Sequence, residues 1–381
     1  MRLYMSDKKS WLLLILTVLL SVNTTFAVEV IPPTHSAIRY IGRVDKKDPQ
    51  VFLFDWPGVS IDCIFTGEVI GVRIEGGEKN YFNIFIDGKP VSIVNAPRDT
   101  ILYFRPSIPK ERHAFLLTKR TEAEMGIARF YGFIPDKDGT IFPTNRETER
   151  RIEFIGNSIT CGYGTEGDNR DESFRPDTEN NYKSFAAILT RAFSAEAHYI
   201  AHSGRGVVRN YGDEKTESDK NETMPGRYNR TLDNHPMEQW DFNQWKAGCV
   251  VINLGTNDFS TTPHPNKDSF LHAYKELIKQ VRKTHGDVPV FCVVGPMINE
   301  PCYTYVKELT SYFRYQENDH QVYFAGLPDN LLNQDDDLGS DWHPSYKGQQ
   351  KIAAQLLLPI STVMKWDFHT SMLFTDLPIL P

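Results

Sequence analysis

Cysteine is scarce. The 381 residues hold five, Cys63, Cys161, Cys249, Cys292 and Cys302, an odd number without a CxxC pair or a Cys/His ligand spacing. That excludes a disulfide scaffold and zinc modules of the finger or ribbon kind. Cys63, Cys249 and Cys292 stand inside apolar runs and read as buried thiols, while a Cys292–Cys302 bridge stays open. Positive charge is not in excess: 42 Lys and Arg against 49 Asp and Glu give a net charge of −7. A general nucleic-acid binder would carry a basic face, so nucleic acid is not an expected partner. An apolar stretch of membrane-spanning length is lacking, and so is an internal repeat, which removes solenoids and propellers. Clusters with metal-ligand spacing are lacking too, and neither a metal nor another cofactor is expected.

What is present divides the chain. Lys8 and Lys9 precede an apolar run at 11–20, and Thr25-Phe26-Ala27 offers a small-x-small cleavage site. Residues 1–27 therefore read as a signal peptide, and the product as secreted or periplasmic, without stable membrane insertion after cleavage. The length suits about two domains. Between 36 and 134 come short runs rich in Val, Ile, Phe and Tyr, at 37–44, 51–56, 59–65, 69–75, 81–86, 100–104, 113–118 and 127–133. Turn residues separate them, and Asp87-Gly88 marks a hairpin. Eight such runs without helical periodicity predict a jelly-roll-like antiparallel sandwich over 28–140. The polar stretch 136–150 is the boundary. Beyond it strands (151–156, 197–201, 249–254, 288–294, 320–324) alternate with helices (180–193, 268–283, 300–313, 345–360). That pattern predicts an α/β domain with a parallel sheet over 148–365, followed by a tail at 366–381.

Three blocks fall just beyond strand ends, where an open α/β sheet places its ligand. Phe154-Ile155-Gly156-Asn157-Ser158 ends a strand in a tight turn, which can project a serine hydroxyl together with its own N–H. Asn253-Leu254-Gly255-Thr256-Asn257-Asp258 offers a side-chain amide to a developing oxyanion. Asp341-Trp342-His343-Pro344-Ser345 holds a histidine ahead of a helix, suited to act as general base. Between the first two, Ala201-His202-Ser203-Gly204 supplies another backbone donor, with His202 as a rival base better read as structural. Each block alone is as easily an ordinary polar turn.

Ser158, Gly204, Asn257 and His343 in that order resemble the SGNH/GDSL hydrolase superfamily, across about 150 to 362. With a sandwich in front, and with Gly156-Asn157-Ser158-Ile159-Thr160-Cys161-Gly162-Tyr163-Gly164 as first block, the chain resembles carbohydrate esterase family 2. The resemblance implies a three-layer SGNH domain and a serine esterase that removes O-acetyl groups from polysaccharides such as acetylated xylan or glucomannan. It implies Ser158 as nucleophile, His343 as base, and an oxyanion hole of Ser158, Gly204 and Asn257. Two positions depart from the superfamily pattern. Asn157 stands where Asp is usual, and Ser340 stands where the third triad member is usual. Asp341, one residue later, either completes a triad or leaves His343 to a backbone carbonyl. Tyr163, Trp342 and Trp240 are the aromatic candidates for stacking on sugar rings. The alternatives are an esterase for another O-acetyl carrier, such as sialic acid or lipid, and a non-catalytic carbohydrate-binding protein.

Overall fold

The computed structural model describes residues 29–108, 110–145, 148–333 and 335–375. The expected signal peptide, the residue that follows it, and the last six residues of the tail lie outside them.

The first half folds as eleven strands: β1 (Arg39–Ile41), β2 (Asp45–Asp48), β3 (Val51–Phe54), β4 (Ser60–Phe65), β5 (Ile70–Glu75), β6 (Tyr81–Ile86), β7 (Lys89–Asn95), β8 (Thr100–Phe104), β9 (His113–Lys119), β10 (Ala128–Pro135) and β11 (Ile141–Phe142). One sheet runs β1-β4-β9-β6-β7, with β11 also on β4, and the other runs β2-β3-β10-β5-β8. Every pairing in both is antiparallel. The sandwich core is aromatic: Phe54, Phe65, Phe115, Phe130 and Phe133 are buried between the sheets. Phe115 and Phe130 both meet Phe133 edge-on, at 5.3 and 5.1 Å between ring centres. Asp87 and Gly88 both adopt positive φ, 52° and 72°, as a tight hairpin turn between β6 and β7 requires.

Three strands escape the sequence reading. β2 and β7 are sheet edges with mostly polar or exposed residues, and β7 carries Pro90. An edge strand has one free side and no need of apolar alternation. β11 is two residues long and lies inside the stretch read as a boundary, so sandwich pairing continues to Phe142.

The second half builds a parallel sheet from β12 (Arg151–Gly156), β13 (Glu196–Ala201), β14 (Cys249–Asn253), β15 (Val290–Val294) and β16 (Val322–Gly326), in the order β13-β12-β14-β15-β16. Its helices are α1 (Ser158–Cys161), α2 (Phe185–Ala192), α3 (Met224–Arg227), α4 (Thr256–Phe259), α5 (Lys267–His285), α6 (Cys302–Tyr315) and α7 (Tyr346–Met364). Helices α2 and α7 pack on one face of the sheet, α5 and α6 on the other. This is why β14 and β15 are apolar on both sides. The helix expected over 180–193 starts later, because Ser184 caps it by accepting the Ala187 N–H, and Asn181–Lys183 forms a separate 3-10 turn. All five cysteines are free and buried, so Cys292 and Cys302 do not pair.

The two halves share one continuous core. Arg43, from the turn after β1, enters the second half fully buried and pairs with the equally buried Glu153 of β12 at 3.1 Å. Arg43 also donates to the carbonyls of Tyr228 and Arg230. Tyr228 and His285 complete the carboxylate of Glu153, at 2.8 and 2.9 Å. Burial alone would raise this carboxyl, but His285 and Arg43 outweigh it and hold it down at about 2. The indole of Trp56 and the carboxylate of Asp55 bridge to Thr231 and to Asp233 and Asn234. We expect Arg43→Ala to cost about 3–5 kcal/mol of folding stability, because it strands a buried carboxylate. Urea unfolding checks this, and a loss under 1 kcal/mol would mean that water reaches Glu153.

Candidate active site

The register of the parallel sheet brings three loops together. Gly156 lies beside Ala201 on one side and Asn253 on the other. Ser158, Gly204 and Asn257 stand two, three and four residues past those positions. The strand-end turn is tight: a Cβ on Gly156 would meet Thr160 Oγ1 at 2.0 Å. Asn157 caps α1 by accepting the Ile159 N–H at 3.1 Å, so Asn serves where the superfamily has Asp. Ser158 is buried and opens α1, with its N–H among those a first helical turn leaves without an intrahelical acceptor.

His343 arrives from the far end of the chain. Its Nε2 lies 2.8 Å from Ser158 Oγ and its Nδ1 lies 3.0 Å from the backbone carbonyl of Asp341. A carbonyl only accepts, so Nδ1 carries the proton and Nε2 faces the serine with its lone pair. The Asp341 carboxylate is turned away. It accepts the Tyr163 hydroxyl at 2.9 Å and the Phe174 N–H at 3.1 Å. The expectation of Asp341 as third triad member is thereby corrected: its carbonyl, not its carboxylate, holds the imidazole. The reason is local backbone. Asp341 and Trp342 are both left-handed, with φ of 50° and 63°. The pair folds the carbonyl back on His343 and sends the carboxylate toward Tyr163. Each such residue costs roughly 1–3 kcal/mol and needs outside support. Asp341 N–H donates to Glu172 O, Trp342 N–H to Arg170 O, and Ser340 N–H to Gly164 O.

Tyr163 lies flat on Phe174, 4.0 Å between centres, and its ring is 4.3 Å from that of His343. It walls the imidazole. Desolvation lowers the His343 pKa to about 4, against the opposing pull of the Asp341 carbonyl and charge. Trp342 is 48% exposed beside His343, with the Arg170 guanidinium 4.4 Å over its ring.

Trp240 does not reach the site. It is buried in the core between the halves, 5.7 Å from the Arg43 guanidinium and edge-on to His198. Its expected contact with sugar is corrected, because the 205–248 connection folds its indoles inward. Trp245 stacks on His198 in the same core; of the tyrosines in this connection, Tyr228 is buried and Tyr211 exposed. His202 is buried, with Nδ1 on Asp233 at 2.5 Å, a carboxylate also held by Arg227.

Gly204 takes φ of +73°, and a Cβ there would meet nothing within 4 Å. Its conformation, not crowding, calls for glycine. Asn257 Nδ2 donates to Arg205 O at 2.9 Å, which ties the second loop to the third and leaves a second amide hydrogen. Asp258, quoted in the third-strand block without a role, is fully buried and accepts the N–H groups of Val207, Val208 and Arg209. It shapes the 206–209 turn. Its acidity beside Asn257 was the available signal. Phe174 and Arg170 carry none, since they lie in a polar loop.

A parallel-sheet hydrolase domain, with a serine and a histidine at hydrogen-bond distance beyond its strand ends, defines an ester hydrolase of the GDSL-like class. Residues 154–351 match the GDSL-like Lipase/Acylhydrolase family, and residues 40–144 match the carbohydrate esterase 2 N-terminal family. The chain is 38% identical over 337 residues to the cellulase/esterase CelE of Acetivibrio thermocellus, covering 86% of this chain but 40% of that longer protein. It is 29% identical to an acetylxylan esterase / glucomannan deacetylase of Cellvibrio japonicus, covering 85% and 89% of the two chains. A solved family two carbohydrate esterase from Clostridium thermocellum, in complex with cellohexaose, is 37% identical. It superposes with a TM-score of 0.80 over 86% of this chain and 99% of that one. The chain belongs to family 2 of the carbohydrate esterases.

Proposed function

We propose that this chain is a secreted serine esterase that removes O-acetyl groups from polysaccharides such as acetylated xylan or glucomannan, through an acetyl-enzyme. The observation that carries the proposal is the chain of contacts Ser158 Oγ–His343 Nε2–His343 Nδ1–Asp341 O. The names of the Cellvibrio japonicus relatives support the substrate class.

In this reading His343 Nε2 takes the Ser158 proton as the hydroxyl oxygen attacks the acetyl carbonyl. The tetrahedral oxyanion is met by the N–H groups of Ser158 and Gly204 and by Asn257 Nδ2. The carbon–oxygen bond to the sugar breaks, His343 returns the proton to the leaving hydroxyl, and water repeats the sequence on the acetyl-enzyme. A neutral carbonyl orients the imidazole, so Ser158 and His343 form a dyad. Trp342 and Tyr163 border the space beside His343 where a sugar ring would lie. The reading divides the chain into a cleaved signal peptide at 1–27, a sandwich from 28 that β11 extends past the expected 140 to Phe142, an esterase domain at 148–365 and a tail. A second reading draws on the cellohexaose bound by the Clostridium thermocellum relative: the same cleft holds an unacetylated glucan chain.

Acetate release from acetylated xylan and glucomannan tests the first reading. Ser158→Ala should abolish it, and retained activity would sink the assignment. In the same assay cellohexaose should compete if the glucan reading holds. Asp341→Asn should lower kcat by less than about tenfold, since the orienting carbonyl remains, whereas loss of a triad carboxylate costs about 10⁴-fold. The base works only as neutral imidazole. With its pKa near 4, kcat/KM should hold through mildly acidic pH and fall as pH drops through about 4. An acid limb at the ordinary histidine value, near 6.5, would show that the imidazole is solvated.

A further inference from the structure

Glu122 belongs to the sandwich, in the connection from β9 to β10, yet its side chain ends among the strand-end loops of the parallel sheet. It is fully buried. One of its carboxylate oxygens accepts the Ser203 N–H at 2.6 Å and lies 3.7 Å from Cys161 Sγ. Ser203 directly precedes Gly204. Cys161 closes the short helix that Ser158 opens. One carboxylate thus touches both loops that carry the backbone oxyanion donors of the reading above.

The contact with Ser203 is the firm anchor on its side of Gly204. His202 N–H to Gly156 O and Arg205 N–H to His202 O are both 3.4 Å, long for such bonds. A backbone N–H on a carboxylate is shorter and roughly twice as strong as a neutral pair. No side chain packs where a Gly204 Cβ would stand; its carbonyl accepts the Tyr211 N–H at 2.8 Å, and its N–H side is held through Ser203.

Glu122 is itself braced. Its carbonyl accepts the buried Lys119 ammonium at 3.0 Å, and its N–H donates to the Glu179 carboxylate at 3.0 Å. Lys119 offsets negative charge in this pocket, and burial together with Glu122 pushes the Glu179 carboxyl well above its usual range.

We propose that Glu122 is a positioning residue for ester hydrolysis, a carboxylate supplied by the sandwich that aims the Gly204 N–H through the Ser203 backbone. It touches no reacting atom. The proposal rests on the Ser158–His343 reading, and it gives the first domain a part in the chemistry beyond packing.

The test uses the full chain with Glu122→Ala and Glu122→Gln. Readouts are kcat and KM on an aryl acetate, affinity for phenylboronic acid, and binding of cellohexaose. The boronate forms a tetrahedral adduct on a serine oxygen and so reports the oxyanion geometry. Glu122→Ala should lower kcat and boronate affinity together, by about 10- to 100-fold, with KM within about threefold and cellohexaose binding unchanged. Glu122→Gln keeps an acceptor for Ser203 and the packing, and should recover part of the loss. It is also the deciding variant if the alanine form does not fold. The proposal is overturned if kcat and boronate affinity stay within about twofold of wild type in Glu122→Ala, or if Glu122→Gln, which keeps the acceptor, loses about 100-fold or more of either. Ser158→Ala runs beside them: activity surviving there defeats the esterase site itself, while activity lost there and kept in Glu122→Ala defeats only this proposal.

Discussion

The site depends on one hydrogen bond, from His343 Nδ1–H to the carbonyl of Asp341. It sets the tautomer, and the tautomer decides whether Nε2 can receive a proton from Ser158. A carboxylate would hold the same tautomer and also stabilise the imidazolium that forms during reaction. A carbonyl offers only its dipole. The burden then shifts to the surroundings, which must keep the ring in place and supply electrostatic stabilisation elsewhere. Two consecutive left-handed residues, braced by Arg170, Glu172 and Gly164, deliver the carbonyl to that place. Tyr163 covers the ring's face.

The sandwich is part of the same machine. Arg43 and Glu153, both without solvent access, fasten the first domain to β12, the strand that leads to Ser158. A buried ion pair is weak evidence of stability but strong evidence of register, since a wrongly docked domain would strand two charges. Glu122 extends the coupling to the strand-end loops. The core runs without a break from one domain to the other.

Much of this was legible in the residues. The five parallel strands were read close to their bounds, because a strand covered on both faces is mostly apolar, as in the Cys-Val-Val-Ile of β14 and the whole of β15. Edge strands β2 and β7 were missed because one side of each meets solvent and relaxes the pattern. Ser158, Gly204, Asn257 and His343 stood out by order, and the sheet gathers the first three at its strand ends. Trp240 misled, since an indole in a long connection serves a core or a sugar equally well in one dimension.

The sequence alone determined the sheet types, because these follow from local periodicity, and its order of motifs pointed to Ser158 and His343 only through a family resemblance. Tertiary structure decided the rest. Whether Asp341 offers carboxylate or carbonyl turns on two backbone angles that distant loops enforce. Whether an aromatic faces solvent turns on what covers it. That a sandwich glutamate, 81 positions before Ser203, accepts the Ser203 N–H follows from how two domains pack, which no local pattern encodes.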